Sequence, residues 1–145
     1  MAKVLIKKLD PAVELPAYKT EGASGVDLMA LVKEPINLKP NSSCLVPTGL
    51  AVAFSSDFEI QIRPRSGLAA KNNISVLNTP GTIDSDYRGE IKVILFNHGK
   101  NDFLINNKDR IAQMILTPVL KMDLEETDDL PETIRGEGGF GSTGK

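Results

Sequence analysis

The sequence predicts an all-β sandwich or jelly roll. About a dozen short strand candidates follow one another at even spacing, Gly or Pro turns separate them, and no stretch has a convincing helical period. The clearest candidate is residues 58–63, where apolar and polar residues alternate with period two. At 145 residues, the chain is long enough to bury a core as one domain without disulfide bonds.

Composition excludes several classes of function. A net charge of -2 argues against sequence-independent binding to a nucleic-acid backbone, but it leaves room for a small anionic ligand. Cys44 is the only cysteine and His98 the only histidine, so a disulfide framework or a Cys/His zinc site within one chain is excluded. No apolar run reaches transmembrane length and the start lacks the apolar core of a signal peptide. We therefore expect a cytoplasmic protein.

The first half of the chain supplies strands and one early carboxylate. Residues 4–9 form a short strand candidate, and residues 43–48 and 49–54 form two more. Between the first of these strands and the other two, a turn of small residues at 23–25 leads into a strand that carries Asp27 at its start. An aspartate in this place is commonly structural, so Asp27 needs further context before it indicates a function.

A candidate anion site follows the strand at 58–63. Pro64 cannot donate a ladder hydrogen bond, so strand pairing ends there. Ser66 and Gly67 can then open a short helical turn with free backbone N–H groups, and Arg65 stands beside them. The alternative is a helix cap next to a surface arginine.

The segment 78–89 concentrates chemistry among turn residues. Strand-like runs flank it at 74–77 and 91–97, so it is predicted to be the head of a β-hairpin. It offers one amide, two carboxylates, one aromatic ring and one guanidinium, at Asn78, Asp84, Asp86, Tyr87 and Arg88. Such a set can hold a polar ring, seat a sugar and orient a water. The alternative is a solvated hairpin, since Asp, Ser and Gly are usual in tight turns.

Three later strand candidates complete the all-β pattern. The strand at 90–97 is mostly apolar on both faces, so we expect it to be covered on both sides. Residues 103–105 and 110–119 are further strands, and Arg110 and Gln113 fall on opposite faces if the latter is extended throughout.

The composition then changes. Residues 123–133 are largely acidic and suit a solvated connector. The Gly-rich end at 135–145 would by default be disordered. However, it carries an apolar ring at Phe140, and its hydroxyls and N–H groups at 142–144 can wrap phosphates. We therefore expect this end to act as a lid that closes over a nucleotide.

Five segments together resemble the motifs of the trimeric dUTP diphosphatase (dUTPase) family. They match the family's order and approximate spacing over nearly the whole chain, at 23–28, 63–69, 81–89, 110–113 and 135–144. The most specific are Gly-Thr-Ile-Asp-Ser-Asp-Tyr-Arg-Gly and, after it, Arg-Gly-Glu-Gly-Gly-Phe-Gly-Ser-Thr-Gly. Lys108 departs from the pattern, because the family usually has glycine there, and this puts the local turn in doubt.

The resemblance implies a fold and an activity. The fold would be a jelly-roll-like (β-clip) subunit with a flexible Gly-rich C-terminal tail, assembled as a homotrimer. Residues 1–122 would form the catalytic domain and 123–145 the acidic connector and lid. The activity would be Mg²⁺-dependent hydrolysis of dUTP to dUMP and pyrophosphate, which supplies dUMP for dTMP synthesis and keeps uracil out of DNA. The implied partners are dUTP and further copies of the chain, with no nucleic acid and no membrane.

The resemblance also assigns roles at the base and the reacting phosphorus. Asp84 would orient and deprotonate the water that attacks the α-phosphorus. Tyr87 would lie against the deoxyribose. The uracil edge would be read by the amide of Asn78 and by the backbone from 82 to 92, which includes Thr82, Ile83 and Lys92.

The remaining assigned roles concern the phosphates and the metal. The phosphates would be held by Arg65, Ser66, Gly67 and Gln113. The lid would supply Arg135, Phe140, Gly141, Ser142 and Thr143, with Phe140 over the base. Asp27 would bind a metal-coordinated water or support the site, and Mg²⁺ would otherwise be held by the substrate phosphates. Arg110 would brace the structure.

Two other functions remain open at this point. A dCTP deaminase shares the fold, but deamination needs a different acid/base carboxylate near the base, and the complete tail with Phe140 favours dUTP. A non-catalytic trimer that only binds nucleotide is the second alternative. The presence of Asp84 together with the other four segments argues against it.

Overall fold

The structure, a computed structural model that describes residues 2–142 and 144, consists of short antiparallel strands and one short helix in that part of the chain. In chain order the elements are β1 (Leu5–Lys8), β2 (Val26–Met29), β3 (Ile36–Leu38), β4 (Ser43–Pro47), β5 (Leu50–Ala53), β6 (Phe58–Arg63), α1 (Ser66–Asn72), β7 (Ile74–Val76), β8 (Gly81–Ile83), β9 (Lys92–Asn97), β10 (Phe103–Ile105) and β11 (Arg110–Pro118). The strands form sheets in the orders β2-β11-β6-β8, β4-β9-β7, β1-β5 and β10-β3. The predicted all-β fold is confirmed.

The four-stranded sheet follows the period-two pattern of its central strand. Ile60 and Ile62 of β6 are buried, whereas Glu59 and Gln61 on the opposite face are only half-buried. The strand prediction at 58–63 is therefore confirmed residue for residue. One face of this sheet contributes to the core, and the other carries polar side chains.

Strand β11 connects distant parts of the sequence. It pairs with β6, where Gln113 lies opposite Arg63, and with β2, where Gln113 lies opposite Asp27. Asp27 and the end of β6, two residues before Arg65, thus lie on either side of the same point of β11. This register forms the base of the arginine-containing site described below.

The β-hairpin prediction is confirmed for its two flanking strands, but it missed a third strand, β8, in the head of the hairpin. Strands β7 and β9 pair antiparallel, with Ile74 opposite Asn97 and Val76 opposite Leu95. Within the head, β8 leaves the hairpin and pairs with β6 in the other sheet. Gly81 permits this, because a Cβ there would lie 3.3 Å from the Cβ of Ile62. The head of the hairpin is therefore fixed to two sheets at once.

The expectation that β9 is covered on both faces is wrong for the single chain. Val93 and Leu95 are buried in the core, but Lys92 is exposed and Ile94 and Phe96 are half-buried. The apolar residues on the second face do not mark a second core layer. Ile94 lines part of a surface pocket instead, and the ring of Phe96 packs against that of His98.

The turn at Lys108 forms although the residue is not glycine. Lys108 adopts a positive φ of 68° and its N–H donates to the carbonyl of Ala30 at 2.8 Å. Its ammonium lies 2.6 Å from Glu14 Oε1, and this contact lowers the pKa of the Glu14 carboxyl. The lysine therefore keeps the turn and takes the left-handed conformation that glycine adopts without strain.

The chain beyond β11 forms no strand or helix in its described residues. Several large apolar side chains there are almost wholly exposed, namely Leu120, Met122, Leu124, Leu130, Ile134 and Phe140. In the described residues, the protein has no helix with the length and apolar character needed to span a membrane.

Candidate active site

The head of the hairpin encloses a pocket that collects most of the predicted base and sugar residues. Its volume is about 400 Å³, which is within the usual range for small-molecule sites. We call it the hairpin pocket; it is lined by Leu45, Thr82, Ile83, Asp84, Tyr87, Glu90, Lys92 and Ile94. Thr82 and Ile83 come from β8, Lys92 and Ile94 from β9, and the others from β4 and the connecting loop.

Asp84 lies at the point where β8 ends and the loop turns. Its backbone carbonyl accepts a hydrogen bond from the N–H of Tyr87 at 3.1 Å, and its side chain is exposed. Arg88 stabilises the same turn, because its Nη1 donates to the carbonyls of Ser85 and Tyr87 at 2.7 and 3.1 Å. The loop therefore presents the Asp84 carboxylate to the pocket while the guanidinium of Arg88 is used within the turn.

Tyr87 forms one wall of the pocket. Its hydroxyl donates to the carbonyl of Glu90 at 2.9 Å, and 44% of the residue is exposed. This hydrogen bond fixes the direction of the ring across the loop. The exposed area of the ring is free to contact a ligand.

Asn78 is not among the residues that line the pocket, although it lies nearby. Its side-chain nitrogen is 3.5 Å from the position that a Cβ of Gly81 would occupy, at the start of β8. Asn78 therefore stands beside the backbone that leads to Thr82 and Ile83.

A second group of site residues surrounds Asp27. Arg65 Nε donates to Asp27 Oδ1 at 3.0 Å, and Arg110 Nη1 donates to Asp27 Oδ2 at 3.3 Å. Arg65 Nη1 also donates to the Arg110 carbonyl at 3.3 Å. We call Asp27, Arg65, Arg110 and Gln113 the arginine–aspartate cluster. Its charge-assisted hydrogen bonds fix the direction of the Arg65 guanidinium.

Gln113 joins this cluster because β11 is irregular. A register shift between Arg110 and Ala112 marks a β-bulge, so Arg110 pairs with Met29 and Gln113 with Asp27. The sequence placed Arg110 and Gln113 on opposite faces only for a strand extended throughout; the bulge interrupts the strand and puts both residues on the Asp27 face. Gln113 Nε2 donates to the carbonyl of Pro64 at 3.0 Å, which ties the cluster to the start of α1.

The predicted helical turn at Ser66 and Gly67 is confirmed. Arg65 is the N-cap of α1, and the first helical hydrogen bond runs from Ala69 N to Arg65 O at 3.0 Å. The backbone N–H groups of the first helical turn, before Ala69, therefore have no acceptor within the helix. Ser66 and Gly67 are exposed, and no atom lies within 4 Å of the space where a Gly67 side chain would stand.

The described residues of the tail form local turns. Arg135 Nε donates to the Gly138 carbonyl at 2.7 Å, and Ser142 N donates to the Gly139 carbonyl at 3.0 Å. Phe140 is fully exposed and adopts a φ of 50°. None of the described tail residues lines the hairpin pocket, and neither does Arg65, Ser66, Gly67 or Gln113. Gly141 is exposed in the turn beside Ser142, and Thr143 lies outside the described residues.

The single cysteine and the single histidine lie outside the hairpin pocket. Burial raises the pKa of the Cys44 thiol, which disfavours the reactive thiolate. His98 Nε2 is 2.7 Å from Ser75 Oγ, and its ring packs 4.5 Å from that of Phe96. Neither Cys44 nor His98 lines the hairpin pocket, so among its lining residues the carboxylates of Asp84 and Glu90 are the groups able to accept a proton from water.

Three residues of the pocket escaped the sequence analysis. Leu45 and Ile94 pair across β4 and β9 and form the apolar wall of the pocket. Glu90 reaches away from the hairpin and accepts a hydrogen bond from Gly49 N at 2.9 Å. The pairing of Leu45 with Ile94 depends on the strand register, which the sequence does not reveal. Glu90 lies within the backbone stretch 82–92 that the resemblance assigns to the uracil edge, but its side chain received no role there.

The chain matches the family model of dUTPase over residues 12–144. It is 56% identical over 137 residues to the deoxyuridine 5'-triphosphate nucleotidohydrolase of Treponema denticola, covering 94% of this chain and 95% of that protein. It shares its fold with a mutant dUTPase of Staphylococcus bacteriophage 80alpha with dUpNHpp, at a TM-score of 0.84 and 21% identity over 99% of both chains. A mutant dUTPase of phage phi11 of S. aureus, described for the coordination of a structural Mg(II) ion, has a TM-score of 0.80 at 17% identity. That alignment covers 90% of this chain and 99% of the phage protein.

Proposed function

Because the chain belongs to the dUTPase family and is a dUTP diphosphatase, we propose that Asp84 activates the water that attacks the α-phosphorus of dUTP. The water, deprotonated by the Asp84 carboxylate, forms the new P–O bond, and the bond from the α-phosphorus to the bridging oxygen breaks. The products are dUMP and pyrophosphate. No covalent nucleophile is required, in agreement with the raised pKa of Cys44.

The observation that carries this proposal is the composition of the hairpin pocket. One cavity of about 400 Å³ is bordered by the Asp84 carboxylate, the Tyr87 ring and the backbone of β8 and β9. A nucleoside needs these three kinds of surface: a polar edge for the base, a flat surface for the sugar and a carboxylate for the water at phosphorus.

We assign the uracil edge to Asn78 and to the backbone at Thr82, Ile83 and Lys92. Uracil and cytosine differ in their donors and acceptors, and a fixed polar wall that matches uracil rejects a mismatched base by about 10⁴-fold. Thymine differs by one methyl group, which the close apolar wall of Leu45 and Ile94 would exclude by steric contact. Tyr87 would lie against the deoxyribose and leave no room for a 2′-hydroxyl.

We assign the phosphates to Arg65, Ser66, Gly67 and Gln113. The Asp27 carboxylate holds Arg65 through Nε, which leaves the Nη2 end of the guanidinium for a phosphate oxygen. The exposed amides at the start of α1 add N–H donors beside it. In this arrangement Arg110 holds Asp27 in place through its hydrogen bond to Oδ2 and would not contact the substrate.

The donor set fits Mg²⁺ bound mainly by the substrate. In the described residues, no group of three or more His, Cys, Asp or Glu side chains is placed to hold a metal ion. Both oxygens of Asp27 face arginines, so Asp27 would reach the ion through a water, and the triphosphate oxygens would supply the direct ligands. When bound, the ion neutralises negative charge on the phosphates.

The site would be completed by other copies of the chain, so we propose a homotrimer. The hairpin pocket is lined by no residue of the arginine–aspartate cluster and by none of the described tail residues. Leu120, Met122 and Leu124 alternate with polar residues and are almost wholly exposed, as expected for an extended segment that packs on another subunit. Residues 1–122 would form the catalytic domain and 123–145 the connector and lid.

The lid would close over the bound nucleotide. Arg135, Ser142 and Thr143 would contact the β and γ phosphates, Gly141 would allow the turn between them, and Phe140 would cover the base. We place the enzyme in the cytoplasm, where its product would supply dTMP synthesis and its activity would keep uracil out of DNA.

The experiment that tests this function compares substrates and locates the new oxygen. The protein is incubated with Mg²⁺ and dUTP, dCTP, dTTP or UTP in ¹⁸O-enriched water, and the products are separated and weighed by mass spectrometry. We expect efficient turnover of dUTP alone, with the label in dUMP. Label in pyrophosphate would place the attack on the β-phosphorus, and dUTP or dUMP formed from dCTP would assign the protein to the deaminases.

A further inference from the structure

The ring of Tyr87 lies directly over the backbone of Gly89. A Cβ at residue 89 would stand 2.3 Å from the Tyr87 hydroxyl oxygen, 2.5 Å from Cζ and 2.9 Å from Cε2. All three distances are shorter than any van der Waals contact allows. Any side chain at residue 89 must therefore displace the ring from this place.

The backbone under the Tyr87 ring is held in place by hydrogen bonds at residues 90 and 91. The Tyr87 hydroxyl donates to the Glu90 carbonyl at 2.9 Å, and Glu90 Oε1 accepts from Gly49 N at 2.9 Å. The next residue, Ile91, is fully buried and donates its N–H to the Leu50 carbonyl at 2.8 Å. The ring thus rests on a backbone segment that is fixed to the turn between β4 and β5.

We propose that Gly89 is a positioning residue that sets the depth of the Tyr87 ring and thereby the selection of deoxyribose over ribose. This inference rests on the proposed function, in which Tyr87 contacts the sugar. With no side chain at residue 89, one side of the ring lies against the backbone and the other faces the hairpin pocket. A ring moved outward by one methyl group would enter the space of the sugar or swing away from it, and in either case the fit at C2′ would change.

An alanine at this position tests the inference without disrupting the fold. The three atoms nearest to the added Cβ all belong to the Tyr87 side chain, which is partly exposed and can rotate. Gly89 also has no left-handed φ, so alanine meets no backbone strain there. Gly22→Ala is the matched control, because nothing lies within 4 Å of its added Cβ.

The experiment measures the ratio of kcat/KM for dUTP to that for UTP in Gly89→Ala, Tyr87→Ala, the double variant and Gly22→Ala. We expect Gly89→Ala to lower the ratio by about tenfold or more, and Gly22→Ala to keep the wild-type ratio. In the Tyr87→Ala background the Gly89 substitution should change nothing further, because its effect passes through the ring. An unchanged ratio in Gly89→Ala, or an equal loss in both backgrounds, would overturn the inference.

The Tyr87→Ala result and one further measurement distinguish the possible failures. If Tyr87→Ala itself keeps the wild-type ratio, the sugar role under the proposed function fails and this inference fails with it. A loss in Tyr87→Ala but not in Gly89→Ala refutes the inference alone. The chain has two tyrosines and no tryptophan, so in a Tyr18→Phe background Tyr87 is the only strong fluorophore. Gly89→Ala should then increase quenching of its emission by acrylamide, and unaltered quenching would show that the ring had not moved.

Discussion

Asp27 holds Arg65 in place, because Arg65 Nε donates to Asp27 Oδ1 at 3.0 Å. Both side chains are mostly buried, with 21% of the Asp27 side chain and 25% of the Arg65 side chain exposed. The second oxygen of Asp27 faces Arg110 Nη1 at 3.3 Å. One carboxylate therefore balances two guanidinium groups, one of which we assign to the phosphates.

Asp27→Asn should lower kcat/KM for dUTP by about 10²-fold, because a group displaced by an ångström loses catalytic efficiency of that order. Steady-state kinetics at several Mg²⁺ concentrations provide the measurement. A loss that is the same at every Mg²⁺ concentration identifies Asp27 as a support for Arg65, whereas a loss that high Mg²⁺ reverses identifies a contact through metal-bound water. Glu14→Gln removes an ion pair of the exposed surface and should leave kcat/KM unchanged. Wild-type kinetics in Asp27→Asn would refute both roles.

Asp84→Asn should lower kcat by roughly 10²–10⁴-fold with little change in dUTP binding, since a general base acts mainly in the transition state. Single-turnover kinetics give the chemical step, and equilibrium binding of a non-hydrolysable analogue gives the affinity. Asp86→Asn is the matched control, because Asp86 is an exposed carboxylate in the same loop that does not line the hairpin pocket. A near-normal kcat in Asp84→Asn would remove Asp84 from the mechanism.

Lys108→Gly should be more stable than Lys108→Ala by about 1 kcal/mol, because alanine retains the cost of a left-handed conformation and glycine does not. Both substitutions remove the contact with Glu14, so the comparison isolates the backbone at a φ of 68°. Urea unfolding at one fixed protein concentration measures the difference. Equal stability of the two variants would show that the turn at residue 108 is not strained.

Deletion of residues 135–145 should leave a folded protein that barely turns over dUTP. The described residues of this segment lie outside the buried core, so its loss removes little packing, whereas we assign the lid groups to it. Circular dichroism and native mass spectrometry report the fold and the assembly. An unfolded product would mean that the tail is structural, and full activity would mean that the lid is not needed.

The sequence predicted the elements with strong local patterns and missed those defined by pairing. The alternation in β6 and the Ser66-Gly67 turn after Pro64 are local, and both appear where they were expected. Strand β3 has only three residues, and its identity as a strand depends on pairing with β10. Strand β8 lies among turn residues and is likewise defined by its partner, β6.

The site residues show the same difference between local sequence pattern and strand pairing. Thr82, Ile83, Asp84 and Tyr87, all within the local motif at 81–89, lie around one pocket. The meeting of Arg65, Asp27 and Gln113 depends on strand register and on the bulge after Arg110, which no local pattern encodes. The seat of Tyr87 on Gly89 depends on a rotamer, which only the three-dimensional structure reveals.

We propose that one site takes its hairpin pocket and its lid from different subunits, and complementation between two inactive variants tests this arrangement. Inactive Asp84→Asn chains and inactive chains lacking 135–145 are mixed in equal amounts, unfolded, refolded and assayed with dUTP. A site is intact when its hairpin comes from a tail-deleted chain and its tail from an Asp84→Asn chain, which is roughly one site in four for random trimers. We predict activity near a quarter of wild type. No activity, with mixed trimers confirmed by native mass spectrometry, would show that hairpin and tail act within the same subunit.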